Sequence, residues 1–395
     1  MQRAPDDLKA WLRVTLADGL GPVGAARLLL QLGAPERILA SSGQELQYLG
    51  LRPALVRELL QPAPDRLTQI DQILDWAARP GSHLVTLADP DYPAWLAQIH
   101  DPPLVLFVRG DRPWLNRPML AIVGSRNATL HGIDMATELA AQLSQAGWTI
   151  ASGLALGIDM AAHQGALRGP GSTLAVMGCG IDQIYPRRHE ALGQQIARQG
   201  ALISELPPGT PPAAAFFPRR NRLIAGLSQG VVVVEAALQS GSLITARLAS
   251  EGGREVFAVP GPVRSGVSRG CHQLLREGAT LVESATDVLA VCPAPVGSRP
   301  ASGLSSAGPG HPPHAPGSTT GPMPQDPLQQ RILAALQGGA AHADQLAAHL
   351  DLPVHTLAAA LLELELQGLL ITGAQGLLSP GRPGHQLASA QFRLL

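Results

Sequence analysis

Three short stretches combine glycine with hydroxyl groups, the first also with arginine, in the way phosphate binding needs. The first is Gly124-Ser125-Arg126, where the apolar run Met119 to Val123 stops abruptly. Glycine lets the backbone approach an anion, serine offers a hydroxyl, and arginine offers a planar fork that stays charged. The second is Ser152-Gly153, which opens the turn through Gly157 after the run Trp148 to Ala151. Small residues at a strand-to-helix turn leave amides free for an anion, and the next helix aims its dipole there. The third is Ser240-Gly241-Ser242 with Thr245, after Val231 to Glu235. A different combination stands at Phe216-Phe217-Pro218-Arg219-Arg220-Asn221-Arg222, in a chain with only 3% aromatic residues. Arginine on phosphates with bases stacked on aromatic rings holds single strands without strong sequence preference. The candidate nucleic-acid-binding residues are therefore Gly124, Ser125, Arg126, Ser152, Gly153, Phe217, Arg219, Arg220, Asn221, Arg222, Ser240, Gly241, Ser242 and Thr245.

Catalytic pairs are scarce beside them. Asp159 and His163, four apart on one helix face, read as a structural bond pinning the helix to the sheet. Glu235 at a strand end could serve as a general base, but a lone carboxylate makes weak catalysis and reads as a network residue. The chain has no G-x-x-x-x-G-K-[ST] phosphate loop and no nucleophile elbow with triad partners. Cys179, Cys271 and Cys292 form no C-x-x-C pair, so neither disulfides nor zinc are indicated. The expectation is a binding site with no catalytic residue, metal or cofactor.

The elements that must position these residues follow from periodicity. From Met119 onward, apolar runs at Leu120 to Val123, Trp148 to Ala151, Thr173 to Met177, Ala201 to Ile203, Val231 to Val234, Val256 to Val259 and Thr280 to Val282 read as strands. Helical segments between them start at His131, Ile158, His189, Arg220, Leu243 and His272. That alternation predicts an α/β fold, a Rossmann-like doubly wound parallel sheet, whose strand carboxyl ends form the ligand crevice. Val85 to Leu87 and Leu104 to Val108 read as earlier strands, joined by a proline-rich loop.

Before the sheet, helices are expected at Asp7 to Leu16, Pro22 to Leu32, a segment ending near Leu60, and Leu67 to Arg79. Gly19-Leu20-Gly21-Pro22-Val23-Gly24 matches the G-x-G-x-x-G dinucleotide string. A helix precedes it, however, so it fits a helix-hairpin-helix turn instead. After the sheet, 293–325 is rich in Pro, Gly, Ser and Ala and reads as a linker. Helices at Leu328 to Leu336, Ala343 to Leu350 and Val354 to Leu366, with apolar runs near Leu370 and Leu377, resemble a winged helix. The expected organisation is a helical SAM-like or helix-hairpin-helix domain (1–80), the sheet domain (81–292), the linker (293–325), a winged helix (326–380) and a tail (381–395).

Length and composition set the frame. A chain of 395 residues holds two or three domains, and 45% apolar residues suffice for their cores. No signal peptide or membrane-length apolar run is visible, so a cytoplasmic protein is expected. A net charge of −1 excludes a protein that is basic everywhere, not a local basic stripe. Lys9 is the sole lysine, a bias that either a preference for arginine on phosphate or, more simply, a GC-rich genome would produce.

Together, Ile122-Val123-Gly124-Ser125-Arg126, Ser152-Gly153-Leu154-Ala155, Gly157-Ile158-Asp159, Ala162-His163, Gly178-Cys179-Gly180, Tyr185-Pro186, Ser204-Glu205, Phe217-Pro218, Arg220-Asn221-Arg222, Glu235-Ala236, Ser240 to Ala246 and Ala258-Val259-Pro260-Gly261 resemble the bacterial DNA-processing protein A family, also called DprA or Smf. The resemblance is dense from about Leu104 to Val282. It implies an extended Rossmann domain that binds and shields single-stranded DNA, loads the RecA recombinase during natural transformation, and dimerises through the sheet domain. Arg126 and the run Arg220 to Arg222 correspond to that family's phosphate pocket. Where the family commonly carries Arg or Lys, this chain has Leu156, so a cationic contact is either missing or supplied by Arg168, Arg187 or Arg219. The winged-helix segment Val354 to Leu366 carries Glu363 and Glu365 without Lys or Arg, which favours a partner-binding or dimer-supporting role over duplex reading. The competing readings are a nucleotide-processing hydrolase using Glu235 and a duplex regulator acting through the winged helix.

Overall fold

The computed structural model describes residues 4–295, 326–336, 341–350, 352–367, 369–372 and 377–380. Most of the expected linker and the whole expected tail lie outside them. The chain divides into two compact units, 1–301 and 302–395.

The first unit opens with six helices: α1 (Pro5–Thr15), α2 (Gly21–Leu32), α3 (Pro35–Ala40), α4 (Gly43–Tyr48), α5 (Pro53–Leu60) and α6 (Pro64–Ala77). All but α4 carry proline in their first two positions, where the missing N–H costs nothing; α4 uses Ser42 as its N-cap. Gly19 and Gly21 adopt φ of 87° and 66° between α1 and α2, so this glycine pair makes a turn between helices. The helical layer packs on the sheet through Trp76 and Phe107, whose rings meet edge to face at 6.2 Å.

The sheet and its helices follow as β1 (Ser82–Thr86), β2 (Val105–Gly110), β3 (Met119–Val123), α7 (Leu130–Gln145), β4 (Thr149–Ser152), α8 (Ile158–Ala166), β5 (Thr173–Val176), α9 (Glu190–Gln199), β6 (Ala201–Ser204), α10 (Phe216–Leu227), β7 (Gly230–Val233), α11 (Gly241–Glu251), β8 (Glu255–Ala258), α12 (Arg269–Arg276), β9 (Thr280–Leu281) and α13 (Ala285–Val291). The strand order is β1-β2-β6-β5-β4-β3-β7-β8-β9. From β6 to β9 every pairing is parallel. At one edge β1 and β2 run antiparallel, with Phe107 opposite Ser204, an addition to the expected parallel sheet.

β3 shows why these strands are continuous apolar runs. Leu120 and Ile122 enter a core with Ala136, Leu139 and Leu143 of α7. Met119, Ala121 and Val123 enter the opposite core with Leu223 and Ile224 of α10 and Ala246 of α11. With both faces covered, every position of β3 is apolar and buried. After β3 the chain winds outward through β4, β5 and β6, then returns to place β7 on the other flank of β3. The reversal between β3 and β7 opens a crevice at their carboxyl ends.

The second unit holds α14 (Pro327–Leu336), β10 (Ala341–His342), α15 (Ala343–Leu350), α16 (Val354–Leu366), β11 (Leu370–Thr372) and β12 (Leu377–Pro380). Ile332, Leu346, Leu357, Leu364 and Leu378 form its core under a sheet ordered β10-β12-β11. This is the expected three helices and hairpin, with one further two-residue strand too short to carry a periodic signal.

Candidate nucleic-acid interface

The turn after β3 carries the exposed end of the site. A Cβ on Gly124 would come within 2.7 Å of Ile158 Cγ1 and 2.9 Å of the Glu235 carbonyl, so glycine here serves close packing. Two residues on, Arg126 is exposed and its guanidinium lies 5.4 Å over the Phe217 ring. Phe217 in turn meets Tyr185, centroid to centroid at 5.7 Å and tilted by 34°. Tyr185 is 45% exposed. Gly178 seats the column from below, since a Cβ there would come within 2.7 Å of Phe217 Cδ1. Cation, half-buried ring and exposed ring thus form one strip suited to a phosphate at one end and a stacked base at the other. Tyr185 entered the sequence reading only through the Tyr185-Pro186 pair of the resemblance. An aromatic flanked by Arg187 and Arg188 in an aromatic-poor chain is the signal that could have marked it.

The turn between β4 and α8 differs from its expected role. Ser152 is fully buried and donates to the Ile122 carbonyl at 2.7 Å, which commits its hydroxyl to the sheet. The Gly153 N–H donates to Asp159 Oδ2 at 3.1 Å, the Ala155 N–H to the same oxygen at 3.4 Å, and the Leu154 N–H to His163 Nε2 at 3.2 Å. These amides were expected to stand free for an anion; Asp159 and His163 occupy them. Asp159 and His163 therefore pin α8 to the turn, as their four-residue spacing implied.

α10 begins at Phe216, four residues before the expected start at Arg220, so the arginines lie on a helix and point in different directions. Arg219 is exposed. Arg220 is 4% exposed and donates from Nη1 to the Gly153 carbonyl at 2.6 Å and to the Val176 carbonyl. Burial pulls its guanidinium down to about 10, with Asp159 opposing and Arg126 adding to the effect, so it stays charged at neutral pH. Burial likewise pushes the Asp159 carboxyl up, against the field of Arg220. Arg222 is turned away to Asp101 Oδ2 at 3.0 Å and to Glu205. Of three arginines read as phosphate contacts, the structure places one outward, one beneath the crevice and one in a partly buried ion pair.

The third wall is part surface and part scaffold. Ser240 caps α11, accepting from the Ser242 N–H at 3.3 Å, and its hydroxyl lies 2.6 Å from that of Ser242. Ser242 and Thr245, expected among the nucleic-acid-binding residues, are buried. Asn221 Nδ2 donates to the Gly241 carbonyl at 3.2 Å and joins this wall to α10. Glu235 accepts from the Thr129 N–H at 2.9 Å and the Thr129 hydroxyl at 2.5 Å, while Thr129 caps α7 by accepting from Gly132. A Cβ on Gly132 would come within 2.5 Å of the Glu235 carboxyl carbon. Burial pushes this carboxyl up and the Thr129 bonds oppose that shift. Its neighbours are those of a network residue.

The chain is similar to known proteins. A family model described as DNA recombination-mediator protein A matches residues 83–293, and one described as the DprA winged helix domain matches residues 313–376. Protein Smf of Escherichia coli (strain K12) is 47% identical over 221 residues, 56% of this chain and 59% of that protein. Protein Smf of Synechocystis is 34% identical over 388 residues, covering 91% of this chain and 95% of that one. The X-ray structure of DNA processing protein A from Streptococcus pneumoniae superposes with a TM-score of 0.64 at 36% identity, covering 73% of this chain and 98% of that chain. With its sheet matched by a family model over residues 83–293, more than half of the chain, and a relative matched over nearly its whole length, this chain belongs to the DNA recombination-mediator protein A family, the DprA/Smf proteins.

Proposed function

We propose that this chain is a non-enzymatic recombination mediator that binds single-stranded DNA at the carboxyl edge of its sheet. It shields the strand and loads the RecA recombinase onto it during natural transformation, working in the cytoplasm as a homodimer. The observation that carries this reading is the Arg126, Phe217 and Tyr185 strip, in which charge and ring faces lie side by side. Family membership supports the mediator role. The described residues contain no helix long and apolar enough to cross a membrane.

Neither competing reading gains support. A hydrolase would need Glu235 free to move a proton, and its oxygens are held by Thr129. A duplex reader would need cations on α16, where Glu363 instead accepts from Gln329 Nε2 at 2.7 Å. The deciding experiment is titration of a labelled single-stranded oligonucleotide with the full chain across a salt series. Steeply salt-dependent binding that weakens in Arg126→Ala is expected, and native affinity in that variant would overturn the site.

A further inference from the structure

The turn between β4 and α8 holds a residue in a conformation that its side chain disfavours. Leu154 has a φ of 55°, in the left-handed region that residues with a Cβ avoid. Two histidines hold it there. The Leu154 N–H donates to His163 Nε2 at 3.2 Å, and the Leu154 carbonyl accepts from His189 Nδ1 at 3.0 Å. Both rings are buried.

The proton positions follow from the partners. The Thr173 hydroxyl donates to the Ile150 carbonyl at 2.5 Å, so at 2.7 Å from His163 Nδ1 it can only accept. His163 therefore carries its proton on Nδ1 and turns the Nε2 lone pair to Leu154. Burial, with the charge of Arg220 beside it, pulls His163 down to about 3, so this arrangement persists through the neutral range. His189 must carry its proton on Nδ1, because a carbonyl only accepts. Its Nε2 is buried and has no partner among the described residues.

The two rings belong to different walls of the crevice. His163 lies on α8, whereas His189 ends the short helix Arg187–His189 that follows Tyr185. On its other side the Leu154 turn supports the Arg126 loop. The Ile158 N–H donates to the Ser125 carbonyl at 3.2 Å, and a Cβ on Gly157 would overlap that same oxygen. A rotation at Leu154 would therefore move the base of Arg126 and release the segment carrying Tyr185.

We propose that Leu154, clamped between His163 and His189, sets the separation of Arg126 from Tyr185 and so tunes the affinity of the crevice for a DNA strand. This rests on the reading of that strip as the DNA grip. His163 and His189 touch no strand; they are positioning residues.

His189→Phe in the full chain tests it, because the ring is kept and the one hydrogen bond to Leu154 is lost. Two readouts are needed: affinity for a labelled oligothymidylate across a salt series, and amide exchange of segment 124–128 without DNA. The expected result is affinity weaker by about tenfold, the worth of one well-placed hydrogen bond, with the salt slope unchanged and faster exchange in that segment. His189→Asn, whose Nδ2 stands where the ring Nδ1 stood, is expected to recover most of both. Leu202→Ala, in the same apolar core, controls for general destabilisation and should lower Tm without changing affinity. Native affinity and exchange in His189→Phe would overturn the clamp. Equal weakening in Leu202→Ala at matched Tm would overturn it as well. Arg126→Ala separates the two ideas: native affinity there overturns the grip itself, whereas weakened binding there with a native-like His189→Phe overturns the clamp alone.

Discussion

Gly153 lies directly against Arg220: a Cβ on residue 153 would overlap the guanidinium that the Gly153 carbonyl now receives at 2.6 Å. The glycine exists to admit a buried cation, and that cation ties α10 to the strand ends of β4 and β5. Gly153→Ala is expected to expel Arg220 and lower Tm sharply. Arg220→Met should cost about 2 kcal/mol by leaving the Gly153 and Val176 carbonyls without their donor. Denaturant unfolding checks both. A stable Gly153→Ala protein would show that the guanidinium has room to shift.

Charge and stacking can be told apart at the exposed strip. Arg126→Ala is expected to reduce the salt slope of single-strand binding by about 0.7, the share of one phosphate. Tyr185→Ala should leave the slope unchanged and weaken binding by about 1–3 kcal/mol, the worth of one stacked base. Fluorescence titration of the two variants at several salt concentrations separates the effects.

Acid sensitivity should trace to His163. Its folded value of about 3 lies below the ordinary 6.5, so the unfolded chain binds the extra proton between those values. Stability is therefore complete above about pH 6.5 and falls as the pH drops toward 3. In His163→Gln this contribution to the acid slope of Tm should disappear, although the variant starts from a lower Tm. An unchanged slope between pH 6.5 and 4 would mean that His163 is charged in the fold.

Glu235→Gln is the variant that separates mediator from hydrolase. One amide oxygen can still accept from the Thr129 N–H, so a loss of about 1 kcal/mol in stability is expected, with native single-strand affinity. Incubation with nucleoside monophosphates should yield no free base from either protein. Turnover by the native chain that vanished in Glu235→Gln would revive the hydrolase.

Much of the sheet was legible in the sequence because strands covered on both faces are mostly apolar, as β3 and β7 are throughout, with only scattered hydroxyl residues such as Ser152 and Ser204 in β4 and β6. The glycine and proline turns at Gly19, Gly21 and Pro22, and the turn at Gly124-Ser125-Arg126, were legible because their backbone needs are local. The short elements α3, α4 and β10 span too few residues to show a period. The fates of the arginines were not legible at all. Arg220 is defined by carbonyls 67 and 44 positions away, and Arg222 by a carboxylate 17 positions away. Identical side chains in one run differ only in helical direction and in what the tertiary fold brings opposite them. A doubly wound sheet with a phosphate-type turn at Arg126 follows from apolar runs and a local glycine, both of which are written along the chain. That Arg126 faces outward over Phe217 while Arg220 is buried follows only from folding, because burial and pairing depend on partners that proximity along the chain does not reveal.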